Sequence, residues 1–124
     1  MKKYWKAILL CGVILAAYLV CAAPDVSWAT PAGDDMGDLM LAVSDGRPMH
    51  APGFPIVMFL GWLMCRIPGN DFWNMAVLSS ISFVACSILI FLIIRKLTNN
   101  KIAPYIGAIT FAAGPLVFGE AVAI

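Results

Sequence analysis

Residues 72–94 read FWNMAVLSSISFVACSILIFLII, twenty-three positions without a charge. A helix needs ~20 such residues to cross a hydrocarbon core of ~30 Å. Phe72 and Trp73 stand at one end, where amphipathic rings prefer the lipid–water boundary, and Arg95 and Lys96 follow at the other. The stretch therefore predicts a transmembrane helix. Ser79, Ser80, Ser82, Ala85 and Ser87 are small residues that would let a second helix approach closely.

Working outward, two more uncharged runs appear. Residues 102–119 form one, with Pro104 suited to a first helical turn and Gly114-Pro115 expected to kink or end it. Residues 7–23, AILLCGVILAAYLVCAA, form the other, behind Lys2, Lys3 and Lys6 with Tyr4 and Trp5. A cleaved signal peptide has the same layout, but the spans that follow favour an uncleaved anchor. Val20 before Cys21 argues against a lipoprotein site. The whole chain has this character: 62% is hydrophobic and only 12% charged, against ~25% charged in soluble domains. The expected class is thus all-α integral membrane, with three spans near 7–23, 72–94 and 102–119. A final apolar stretch, PLVFGEAVAI, gives the expectation that the chain is the N-terminal portion of a larger membrane protein.

Net charge is +1, which leaves no electrostatic case for nucleic acid. The four cysteines form no CxxC pair and His50 is the sole histidine, so a zinc site has no support. Cysteines in apolar runs read as small buried hydrophobes.

Charge also sets orientation. Lys2, Lys3 and Lys6 precede the first span, and Arg95, Lys96 and Lys101 follow the second, so six of eight cations fall on one side. Residues 24–71 between them hold Asp25, Asp34, Asp35, Asp38, Asp45 and Asp71, six of seven acids. The positive-inside rule predicts a cytoplasmic N-terminus and an external acidic loop. Within that loop residues 54–67 would make a helix of roughly 21 Å, too short to cross. It is expected to lie on the membrane or against other spans.

Residues 35–45 carry a helical pattern. Met36, Leu39, Met40 and Val43 recur at i, i+3, i+4 and i+7 and form one stripe, with Asp35, Asp38 and Asp45 opposite. Such a helix would press its stripe into lipid and turn its acids toward an aqueous cleft. Asp34 or Asp35 also suits an N-cap, with Asp38 completing a capping-box-like pair. The segment SDGRPMHAPGFP follows, a turn at Asp45-Gly46 stiffened by Pro48, Pro52 and Pro55. It carries Arg47 and His50, a cation and an imidazole beside carboxylates, able to hold an anionic headgroup.

DMGDLMLAVSDGRPMHAPGFPIVMFLGWLMCRIP, residues 35–68, resembles the first external loop of the protein O-mannosyltransferase-like bacterial membrane proteins, a group similar to the GT-C glycosyltransferases. That loop reads D-S-G-E, a helix, H-P-P-G-Y-P and an LLGxLF helix. Asp35-Met36-Gly37-Asp38, His50-Ala51-Pro52-Gly53-Phe54-Pro55 and Leu60-Gly61-Trp62-Leu63 match in order. Met36, Asp38, Ala51 and Phe54 depart from it. Glu120 stands where the later motif PLFWSQAVIAE has Gln. The resemblance implies the N-terminal part of a GT-C-like bundle in a bacterial inner membrane. It implies transfer of a sugar from a polyprenyl-phosphate donor to an acceptor hydroxyl. Asp35 would be the base, with Asp38 and His50 supporting it. Arg47 as a substrate contact rests on the local chemistry alone, and Glu120, ~27 Å along a helix from Ile102, would reach the same cleft. No cofactor is expected, and a divalent metal is left open. A non-catalytic polytopic subunit or scaffold is the alternative. Transport is disfavoured because no span has a charge at mid-membrane.

Overall fold

The computed structural model describes residues 5–23, 33–47 and 54–122, with residues 33–36 described by backbone alone. All regular elements among them are helices: α1 (Trp5–Cys21), α2 (Gly33–Asp45), α3 (Pro55–Met64), α4 (Asp71–Leu97), α5 (Ala103–Ala113) and α6 (Pro115–Val122).

The 27-residue α4 extends ~40 Å. Asn70 caps its start, its side-chain oxygen accepting from Phe72 N at 2.9 Å and Trp73 N at 3.3 Å. Asp71 in the first turn and Arg95 and Lys96 in the last complement the helix dipole. Four helices, α1, α3, α5 and α6, pack against α4. It is the one helix among the described residues long and apolar enough to cross a membrane unaided. The 17-residue α1 spans ~25 Å. The run at 102–119 is two helices bent by 62° at Gly114-Pro115, so α5 and α6 are one broken span at most. Proline has no N–H for the ladder and its ring crowds the preceding turn.

The core has two parts. Ile14, Tyr18, Val84, Ala112 and Ala121 join α1, α4, α5 and α6. Met40, Val43, Met75 and Ala76 join α2 to the start of α4, with Met58 and Met64 of α3 against them. This overturns one expectation. From Leu39 onward the stripe of α2 faces protein, not lipid: Met40 and Val43 are buried against α3 and α4 with Leu39 packed beside them, and the exposed Leu41 points elsewhere. Burial on a neighbouring helix removes the same apolar surface from water as lipid would. Neither Asp34 nor Asp35 precedes the helix either. It begins at Gly33, which places both inside its first turn.

The serines of α4 divide. Ser80 and Ser87 are buried, whereas Ser82 and Ala85 are exposed. Ser79 Oγ donates to Glu120 O and Ser80 Oγ to Ala121 O, both at 2.8 Å. Ala23 N donates to Val122 O at 2.8 Å. The terminal carbonyls of α6 thus find partners inside the bundle, as apolar surroundings require.

Candidate functional site

The acidic face is built by the end of α2. Gly46 takes φ 66°, and its N–H donates to Val43 O at 3.3 Å while Arg47 N donates to Ala42 O at 3.0 Å. This is a Schellman ending, which only glycine accommodates without strain. It folds Arg47 back along the helix. Asp38 and Asp45 are seven residues apart, two turns, so they share a face. Arg47 reaches both: its Nη2 lies 3.6 Å from Asp38 Oδ1 and its Nε 3.4 Å from Asp45 Oδ2. The three side chains are 39–61% exposed, so water screens them and the cluster orients more than it stabilises.

Asp35 lies one turn before Asp38, in the first turn of α2. Its side chain, and all of His50, lie outside the described residues. The structure therefore joins Asp38 to Arg47 and leaves the positions of Asp35's carboxylate and His50 unaddressed. Among the described residues no three His, Cys, Asp or Glu side chains gather to hold a metal.

Two grooves lie beside α2. One, of about 210 Å³, runs between α2, α3 and α4 and is lined by Leu39, Val57, Leu60, Leu78, Ser79 and Ser82. The other, of about 380 Å³, places Arg47 beside Met58, Phe59 and Trp62 of α3. Arg66 stacks on the Trp62 ring with its guanidinium carbon 4.5 Å from the centroid. Phe54 opens α3 at φ 39°, ψ 56°. A non-glycine residue there costs roughly 1–2 kcal/mol, and the Phe54 carbonyl accepts from Met58 N at 2.9 Å as the helix begins.

Glu120 is exposed on α6. A straight helix from Ile102 would carry it ~27 Å. The 62° bend reduces the advance along α5 to about 20 Å. Its carbonyl meets Ser79, which borders the smaller groove. Sequence reasoning missed Ser79 as a groove residue. The signal was present as a run of small residues, but not the partner that selects among them.

Compared with known proteins, the chain is 26% identical over 117 residues to Protein O-mannosyl-transferase tmem260 of Dictyostelium discoideum. The chain resembles a protein O-mannosyl-transferase. The aligned region takes in 91% of this chain and 14% of that protein, so the chain spans about a seventh of its relative's length. No family model matches, and no solved structure does. The similarity is distant, and it covers both the acidic helix and the apolar helix α4.

Proposed function

We propose that this chain is the N-terminal membrane portion of a GT-C-like glycosyltransferase. It moves a sugar from a polyprenyl-phosphate donor to an acceptor hydroxyl on the external side, with its N-terminus in the cytoplasm. The observation that carries the reading is the similarity to a protein O-mannosyl-transferase along nearly the whole chain.

In this reading Asp35 accepts the acceptor's hydroxyl proton. The acceptor oxygen bonds to the anomeric carbon as the bond from that carbon to the phosphate oxygen breaks. The polyprenyl phosphate leaves with the electron pair. Arg47 is oriented by Asp38 and Asp45 and has guanidinium N–H groups to spare for that phosphate, and His50 assists. Glu120 is assigned to the border of the cleft because its backbone carbonyl accepts from Ser79 Oγ.

The test uses three Asp→Asn variants in the complete enzyme, at matched protein levels, with a polyprenyl-phosphate sugar as donor. In the first turn of α2 an acid interacts with the helix dipole by only ~0.3–1 kcal/mol, so the loss of a purely structural role would be small. Asp35→Asn is expected to lose ~10²–10⁴-fold of transfer, the cost of removing a general base. Asp38→Asn should lose less, and Asp34→Asn least. Near-full activity in Asp35→Asn would remove it as the base, and a dead Asp38→Asn would transfer that role to Asp38.

A further inference from the structure

The far end of α4 carries a concavity that the proposed transfer does not use. Where α4 gives way to α5, a pocket of about 380 Å³ is lined by Phe91, Arg95, Thr98, Asn99, Lys101 and Tyr105, among others. Its floor is aromatic. Phe91 is buried and meets Tyr105 edge-to-face, ring centroids 4.9 Å apart.

Its rim is held by the turn. Thr98 donates to Ile94 O through both its N–H, at 2.9 Å, and its hydroxyl, at 3.0 Å. Asn100 Oδ1 accepts from Ile102 N at 2.8 Å and Ala103 N at 3.2 Å, which leaves the Asn100 amide nitrogen to donate outward. The first N–H groups of α5 are thus occupied and Pro104 has none, so side chains, not the helix end, would bind an anion here. Residues 72–119 contain Arg95, Lys96 and Lys101 and no carboxylate, which makes the local field positive. The pocket opens where the apolar run of α4 meets its first cation, with exposed Leu92 and Ile106 just below.

We propose that this pocket holds the phosphate headgroup of an anionic phospholipid. Arg95 and Lys101 contact the phosphodiester oxygens, and the acyl chains lie along Leu92 and Ile106. Basic pockets between spanning helices suit such headgroups because the cations sit at phosphate depth. The proposal rests on the reading that α4 crosses a membrane and is independent of sugar transfer. A free phosphate would offer the same oxygens but would leave the exposed Leu92 and Ile106 without an apolar partner.

The test is native mass spectrometry of the full chain with phosphatidylglycerol or phosphatidylcholine, alongside flotation with vesicles of each. Phosphatidylglycerol is expected to bind at least ~10-fold more tightly than phosphatidylcholine, as two headgroup cations imply. The Arg95→Gln/Lys101→Gln double variant should lose that preference. Lys96→Gln, which does not line the pocket, should keep it, as should the charge-conserving Arg95→Lys/Lys101→Arg pair, which guards against simple misfolding. Equal binding of the two lipids, or preference retained in the double Gln variant, overturns the proposal. Displacement of phosphatidylglycerol by millimolar inorganic phosphate overturns the lipid as occupant. Failure to float with either vesicle would instead sink the membrane reading beneath it.

Discussion

Tyr18 is 1% exposed, and its hydroxyl donates to Ala112 O at 2.9 Å. That carbonyl stands just before Gly114-Pro115, where the bend leaves the end of α5 without a continuing ladder. The Tyr18 ring also meets Phe118 edge-to-face at 5.5 Å, so one side chain supports both arms of the bend. Tyr18→Phe should keep the ring contact, lose the hydrogen bond, and destabilise by about 0.5–1.5 kcal/mol. Thermal unfolding in detergent measures this, and an unchanged midpoint would remove the bond from the account. Cys65 offers a second probe. Burial first, and the Asp71 carboxylate second, raise its thiol above the ordinary 9.0. The native state therefore holds that proton more tightly than the unfolded chain does. The stabilising contribution is present below pH 9 and is lost as pH rises through the higher folded value. Asp71→Asn should speed alkylation of Cys65 at pH 8 severalfold, while the midpoint of the pH–rate profile stays above 9.0 because burial remains. A profile unmoved by Asp71→Asn would exclude the charge effect.

At the level of elements, two glycines sit under helix contacts of different hardness. A Cβ on Gly61 of α3 would lie 3.0 Å from both Met75 Sδ and Val43 Cγ2. Met75 can flex, but the branched and buried Val43 of α2 cannot move without disturbing the helix. Gly61→Val should therefore lift α3 from α2 and α4, at a cost of about 1–3 kcal/mol. A Cβ on Gly107 would run into Ile94 Cδ1, the mobile end of a side chain. Gly107→Ala should be milder, within about 1 kcal/mol. Unfolding midpoints of the two variants, compared under one condition, check the ranking. The reverse order would mean that α3 is less firmly seated than Gly61 implies.

For the whole molecule, the proposed topology puts the two ends of α4 on opposite sides of a membrane. Ser44 closes α2 near the start of α4, and Asn99 lies just past its end, ~40 Å away along the helix. In a background free of native cysteines, Ser44→Cys should react with an impermeant thiol reagent in intact cells, and Asn99→Cys should react only after permeabilisation. Equal labelling, or labelling at Asn99→Cys alone, would reject the external placement of the acidic helix. Because both positions are exposed, the difference reports sidedness rather than burial.

Read alone, the sequence determined the helical class, the long apolar helix over 72–94, the break at Gly114-Pro115 and the turn at Asp45-Gly46. Each follows from local physics: apolar length against bilayer thickness, a missing N–H, a backbone that only glycine adopts freely. It also placed Asp35, Asp38 and Asp45 on one helical face, since that depends only on the 100° step between residues. Tertiary structure alone decided what the opposite stripe meets. Lipid and a neighbouring helix are equally apolar, so Met40 and Val43 carry no mark that distinguishes them. Nor did the pattern single out Ser79 and Ser80 from the other serines of α4. A hydroxyl in an apolar helix bonds its own backbone or another's, and only the arrival of α6 determined that these two reach across.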